Sequence, residues 1–331
     1  MSNAQASGTP PYPSVLEPVS RSLDWTGQVL FRPFDVGKWF VLGFCGWLAW
    51  LGQSGGSTFN WNQSGDDFSD HYSRAESWIN AYLGLLVFLI VAIVIVALAL
   101  WVLILWLSSR GRFMFLDGVV QNRGAVTEPW ARFRAAGNSL FGFRIVMALL
   151  ALVSIGAVVA LMVLSLLPLG LTEQDELAPA VIVFALLWVA VILALAFAFA
   201  LVDMMLTDFI VPIMWLRGCR VKDAWREFLP LFSANVGTFV LYVLFKIVIA
   251  VAIALIACVA TCVTCCIAAL PYIGTVILLP LYVFHRSYSM YFFSQFSADY
   301  AALAPTPAPP VPPAAPGPPV PPTPPPAGGQ I

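Results

Sequence analysis

The sequence predicts an all-α integral membrane protein, a six-span helical bundle built from two parallel repeats of span, basic amphipathic elbow and span. Three observations carry this expectation. Sixty per cent of the residues are hydrophobic and only 10% are charged, against about a quarter charged in soluble domains. The charge-free runs 82–107, 145–171 and 177–202 each exceed the roughly 20 residues that cross ~30 Å of hydrocarbon as helix. Backbone groups in lipid have no water to bond, and the runs lack the polar alternation of a membrane β-strand, so helix is the remaining choice. Third, a basic stretch bearing tryptophan occurs twice. Arg123-Gly124 is echoed by Arg217-Gly218, Trp130 by Trp225, Phe133 by Phe228, Asn138 by Asn235, and the cation Arg144 by Lys246.

Residues 1–21 are rich in Ser, Pro and Ala without an apolar core, which predicts a disordered N-terminus and no secretory signal. The membrane domain is expected over 22–300, with repeat one at about 78–170, repeat two at about 177–268 and a last span at about 275–296. Residues 23–40 mix aromatics with Arg32, Asp35 and Lys38, as in a segment lying along the interface that turns inward at Pro33. Span one follows over about 38–52, short and Trp-rich, and 53–77 is a polar outer loop. Span two, 78–107, is bracketed by Trp78, Tyr82, Trp101 and Trp106, the residue types that anchor at both membrane surfaces. Arg110, Arg112, Arg123, Arg132 and Arg134 then fill the first elbow. Span three is expected over about 143–169 and span four over about 179–206. The second elbow carries Arg217, Arg220, Lys222 and Arg226. Span five, about 236–268, must end before span six, because the uncharged run 247–284 is too long for one crossing and contains Pro271. Residues 301–331 form a Pro-rich tail, expected to be extended and disordered, a spacer more readily than a docking peptide.

Alternating the loops between two sides places fifteen of the sixteen Lys and Arg on one side and leaves Arg74 opposite. The positive-inside rule then puts both termini and both elbows in the cytoplasm of a bacterial inner membrane. A net charge of −1 gives no reason to expect a nucleic-acid partner. The expected partners are the bilayer with its anionic headgroups, and a protein partner or second copy of the chain.

Two groups of residues are candidates for function. In the elbows, Arg123, Trp130, Arg132, Arg134, Arg217, Arg220, Lys222, Trp225 and Arg226 would lie on short helices flat against the cytoplasmic leaflet, tryptophan among headgroups and cations toward phosphates. Each such cation contributes about 1 kcal/mol near an anionic surface. The same residues would equally serve only to fix topology. In the inner half of spans four to six, Asp203, Asp208, Lys246, His285 and Arg286 form a polar cluster. Ionisable groups at membrane depth face a partner or a wet cavity, and the expected pairing is Asp203 or Asp208 with Lys246, either as a structural ion pair or as part of a substrate path. Both aspartates are expected near the inner boundary, within reach of water by snorkelling.

Cys258, Cys262, Cys265 and Cys266 share a stripe of span five, but one straight helix cannot surround an ion, so packing is the expected role and no metal is assigned. Asp66, Asp67, Asp70 and His71 read as a solvated loop rather than a cation site. The chain carries no GxxxxGK[ST], GxSxG, HExxH or dinucleotide-binding glycine pattern, so no catalytic residue and no cofactor is expected.

The segments PFDVGKWFVLGFCGWLA, FLDGVVQNRG, DFIVPIMWLRG with AWREF, and PYIGTVILLPLYVFHRSYSMYF resemble a group of uncharacterised bacterial polytopic proteins. That group is similar to the membrane domain of glycerophosphoryl diester phosphodiesterases and its domain-of-unknown-function relatives. The resemblance covers about 25–299 and implies a helical inner-membrane domain, the esterase activity of such two-part proteins residing in a separate soluble barrel. Function is therefore expected to be that of a membrane module or scaffold working through its basic elbows, with a transporter or lipid-handling channel built on the polar cluster as the alternative.

Overall fold

The computed structural model describes residues 13–51, 68–170, 178–264, 267, 270 and 272–303, and the described residues form helices and turns without strands. The Pro-rich tail, the acidic turn near Glu173, Cys265 and Cys266, and the side chains of the outer loop lie outside the described residues. Helix α1 (Glu17–Phe31) and α2 (Val36–Trp50) are joined by a turn containing Pro33. Asp35 caps α2 by accepting from the Lys38 backbone N–H at 3.1 Å, which satisfies one of the unpaired donors of the first turn. Because α1 starts at Glu17 and buries Ser22, Trp25 and Val29, the unstructured N-terminus expected over 1–21 gives way to helix five residues earlier.

Four helices are long and apolar enough to cross a membrane among the described residues: Val87–Val120, Arg134–Ser165, Ile182–Arg217 and Val236–Val263. They lie within α3 (Phe68–Val120), α5 (Arg134–Gly170), the continuous rod of α6 (Ala178–Met205) and α7 (Val211–Arg217), and α9 (Val236–Val263). Between α3 and α5 sits α4 (Thr127–Arg132), and between α7 and α9 sits α8 (Val221–Ala234). After α9 come α10 (Ile273–Ile277) and α11 (Leu279–Ser294), so the long uncharged run is divided where Pro271 marked a break. The helices expected as spans one and six are the short ones. At 15 and 16 residues, α2 and α11 reach about 22–24 Å at 1.5 Å per residue.

Each long helix has two solvents. Leu85, Phe88, Leu98 and Leu103 of α3, Leu149 to Leu164 of α5, Ile182 to Phe197 of α6 and Val248 to Val263 of α9 present large apolar side chains outward. In water this surface would be untenable; in lipid it needs no cover. The opposite portions of the same helices are buried together: Phe113 to Val119 of α3, Leu206 to Met214, Phe239 and Tyr242 of α9, and Val283 to Phe293 of α11. Phe209 centres this core. Its ring lies 5.3 Å from Phe228, 5.2 Å from Phe239, 5.1 Å from Tyr242 and 5.4 Å from Phe293.

Helices α2 and α3 approach so closely that a Cβ added at Gly111 would stand 2.6 Å from the Leu48 carbonyl carbon. The Ser108 hydroxyl donates to the Ala49 carbonyl at 3.0 Å across the same contact. Gly111→Val is therefore expected to push α2 away at a cost of about 1–3 kcal/mol or more. Thermal unfolding of detergent-purified protein should show a lower midpoint, whereas Gly156→Ala, at a site open to the surroundings, should leave it in place.

The elbows are shorter and less alike than their sequences. Arg110 and Arg112 do not belong to the first: α3 continues to Val120, and both arginines are buried within it. In the first bend the left-handed residue is Asn122 (φ 52°), in the second it is Gly218 (φ 64°), which closes α7. The first bend then makes a six-residue helix and the second a fourteen-residue one.

Candidate functional site: a basic cavity between the long helices

Pro212 shapes the site before any charge does. Lacking an N–H, it cannot complete the regular ladder to Asp208, and the rod between α6 and α7 widens into a π-turn over Leu206–Ile210. Such widenings are frequent at functional sites. Here it brings Asp203, Thr207 and Asp208 to the inner face of one rod.

The two aspartates take different partners. Lys246 of α9 meets the Asp208 carboxylate at 3.0 Å, with side chains 4% and 3% exposed. Tyr242 Oη donates to Asp208 at 2.9 Å, Ser289 Oγ donates to its other oxygen at 3.0 Å, and Lys246 Nζ donates to Ser289 at 2.6 Å. This is a closed network, with every oxygen of the buried carboxylate satisfied. Asp203 is instead gripped by Arg112, whose two terminal nitrogens lie 3.0–3.1 Å from its oxygens. Arg144 of α5 approaches to 3.8 Å and donates to Ser108 and Ser109. Lys246 thus selects Asp208 from the two pairings open at the sequence level. Asp208 does not snorkel: it is 2% exposed.

All five residues of the expected cluster, Asp203, Asp208, Lys246, His285 and Arg286, line one cavity of about 320 Å³. Arg112, Thr207, Trp50 and Phe115 also line it. The apolar part of the lining includes Ala200 and Met204 of α6 and Ile247 and Ala250 of α9. Ala200, Ile247 and Ala250 are exposed, so the cavity reaches the surface between these two helices. The Asp203 side chain keeps 38% of its exposure. A second space of about 190 Å³, lined by Arg144, Phe143 and Leu105, lies on the far side of Asp203. Four cations, Arg112, Arg144, Lys246 and Arg286, surround two carboxylates.

Arg286 is the member with donors to spare. It is 3% exposed, and one terminal nitrogen donates to the Thr207 carbonyl within the π-turn. Its Nε and second terminal nitrogen are buried without a partner.

The elbow residues are placed as follows. Arg123 lies 2.7 Å from Glu128 and 3.1 Å from buried Asp117, and its cation beside Glu128 holds that carboxyl below the usual range. Arg217 reaches Glu227 at 3.4 Å and Asp299 at 3.3 Å. Tyr300 donates to Glu227 at 2.9 Å, and burial together with that bond pushes its phenol up to about 12. Neither tryptophan hangs outward. Trp130 packs 5.8 Å from Trp106 with the Arg110 guanidinium 4.8 Å over its ring, and Trp225 packs 6.1 Å from Phe143 and 5.8 Å from Phe228. Arg132, Arg134, Arg220, Lys222 and Arg226 are exposed. Along α9, Cys258 and Cys262 are exposed free thiols, and the described residues hold no group of three or more metal-ligating side chains.

Sequence reasoning missed Arg112, Thr207, Tyr242 and Ser289 as members of the site. Arg112 was hidden by its nearness to the end of an apolar run, although uninterrupted helix past Leu107 carries it inward. Tyr242 and Ser289 had a signal: Tyr242 stands one turn before Lys246, and Ser289 one turn after His285.

A family model matches residues 14–283, a stretch that contains the π-turn, Arg112, Arg144, Asp203, Asp208 and Lys246. The chain belongs to a family of unknown function (DUF7544). No curated protein and no solved structure matches it. The matched region ends at residue 283, just before His285 and Arg286, so these two residues of the site fall beyond it.

Proposed function

We propose that this member of the family is a bacterial inner-membrane protein of six passes, both termini cytoplasmic, that takes an amphiphile from the bilayer into the cavity between α6 and α9. The reading rests on one observation: a cavity lined by six ionisable side chains that opens between two lipid-facing helices. Charged groups at membrane depth are costly and mark ligand or ion paths. A scaffold has no use for such a space, which is why lipid handling ranks ahead of a purely structural module.

Other features fit this reading. The exposed cations Arg132, Arg134, Arg220, Lys222 and Arg226 would hold the elbows against an anionic cytoplasmic leaflet, each contributing about 1 kcal/mol at that surface. A tandem duplication of span, elbow and span would place both Arg-Gly bends on one side. The resemblance to the membrane domain of glycerophosphoryl diester phosphodiesterases agrees with a lipid-facing role without supplying a reaction. Arg123 and Arg217, each held within 3.4 Å of a carboxylate, contribute less to the surface than cations with no carboxylate, or only a distant one, among the described residues.

Reconstituted protein should accelerate movement of a fluorescent phospholipid between vesicle leaflets or between vesicles relative to protein-free controls. The double variant Ala200→Trp, Ala250→Trp, which fills the opening without touching the charged end, should return the rate to the control level. Equal rates with and without the wild-type protein would leave the scaffold reading in its place.

A further inference from the structure

From the unpartnered edge of Arg286 we infer that the cavity binds the anionic head of an amphiphile, a phosphodiester or carboxylate group, with its tail leaving between α6 and α9. This deepens the lipid-handling reading and rests on it.

Three observations set the ligand class. The first is the charge balance, four cations against two carboxylates. Lys246 is neutralised by Asp208 at 3.0 Å, and Arg112 and Arg144 share Asp203. One cation, Arg286, has no carboxylate within ion-pair distance among the described residues.

The second is geometry. A guanidinium left unpaired away from water is unfavourable by several kcal/mol. The free donors of Arg286, Nε and the terminal nitrogen not used on Thr207, form the side-on fork that accepts two oxygens of a phosphate or carboxylate at once. Its third nitrogen is fixed on the Thr207 carbonyl, so the fork is held in place before a ligand arrives. Trp50 and Phe115 line the same cavity.

The third is the opening. Met204, Ile247, Ala200 and Ala250 offer only apolar contacts. They stand on helices long and apolar enough to cross the bilayer, so a ligand entering there comes from lipid and carries a tail. A free anion from the aqueous phase would have to cross that apolar rim. Two small residues in the lining, Ala200 of α6 and Ala250 of α9, leave room for a chain where larger ones would fill the space.

The test is lipid retention by the full-length protein purified in mild detergent. Binding would be followed by native mass spectrometry and by thermal stabilisation on adding phosphatidylglycerol, phosphatidylcholine or inorganic phosphate. Wild type should retain and be stabilised by phosphatidylglycerol in preference to phosphatidylcholine. Inorganic phosphate should have no effect. Arg286→Gln should weaken phosphatidylglycerol binding by about tenfold or more, the scale of a lost charge-assisted bidentate contact. Arg286→Lys, which keeps the charge but not the fork, should fall between. Ala200→Trp, at an exposed position, should also reduce retention, and Arg286→Lys, with the charge kept and the fork lost, decides the head-group assignment if Arg286→Gln does not fold: retention equal to wild type would overturn it. Phosphatidylglycerol binding that is blocked by Ala200→Trp but indifferent to Arg286→Gln would overturn the head-group assignment while leaving lipid handling intact. Stabilisation by inorganic phosphate equal to that by phosphatidylglycerol would overturn the amphiphile. Absence of bound lipid in wild type would end both.

Discussion

Replacing Lys246 with Met should destabilise the folded protein by about 3–5 kcal/mol, the usual consequence of removing one partner of a buried ion pair. Asp208 would be left 2% exposed with only Tyr242 and Ser289 as donors. Titration with a denaturing detergent, followed by tryptophan fluorescence, should show the loss in the single variant. The double variant Asp208→Asn, Lys246→Met should recover most of it, because Asn keeps acceptor and donor groups for Tyr242 and Ser289 without a charge to compensate. A double variant as unstable as the single would mean that the pair is not the unit holding α9 against the rod.

Phe209→Ala should have a comparable effect for a different reason. Its ring is fully buried and shares edges or faces with Phe228, Phe239, Tyr242, Phe292 and Phe293. Truncation leaves a void that these rings cannot collapse into without leaving their own contacts, which costs about 3–5 kcal/mol. The loss should appear in the same fluorescence titration. Phe88→Ala, on a ring that is 70% exposed on the outer face of α3, should fall within about 0.5 kcal/mol of wild type. The contrast separates core from lipid-facing surface on residues of one chemistry.

The pairing at the site also explains why charge alone did not reveal it. Asp203 and Arg112 are 91 residues apart, and Lys246 and Ser289 are 43 apart. Hydropathy ranked Arg112 as an elbow residue because it follows an apolar run. Its partner, however, comes from another helix, 91 residues along the chain. The same is true of the elbow tryptophans. Their residue type matches an interfacial anchor, yet Phe143 and Trp106 capture the rings before a headgroup can.

What the sequence determined by itself was the solvent: long uncharged runs require lipid, lipid requires helix, and the isolated charges within them had to gather. Tertiary structure decided which charges met. It set Lys246 on Asp208, gave Arg112 to Asp203, and left Arg286 with an unfilled fork. Hydropathy is a property of neighbours along the chain, whereas pairing depends on which faces of distant helices come within about 4 Å, and no local pattern encodes that distance.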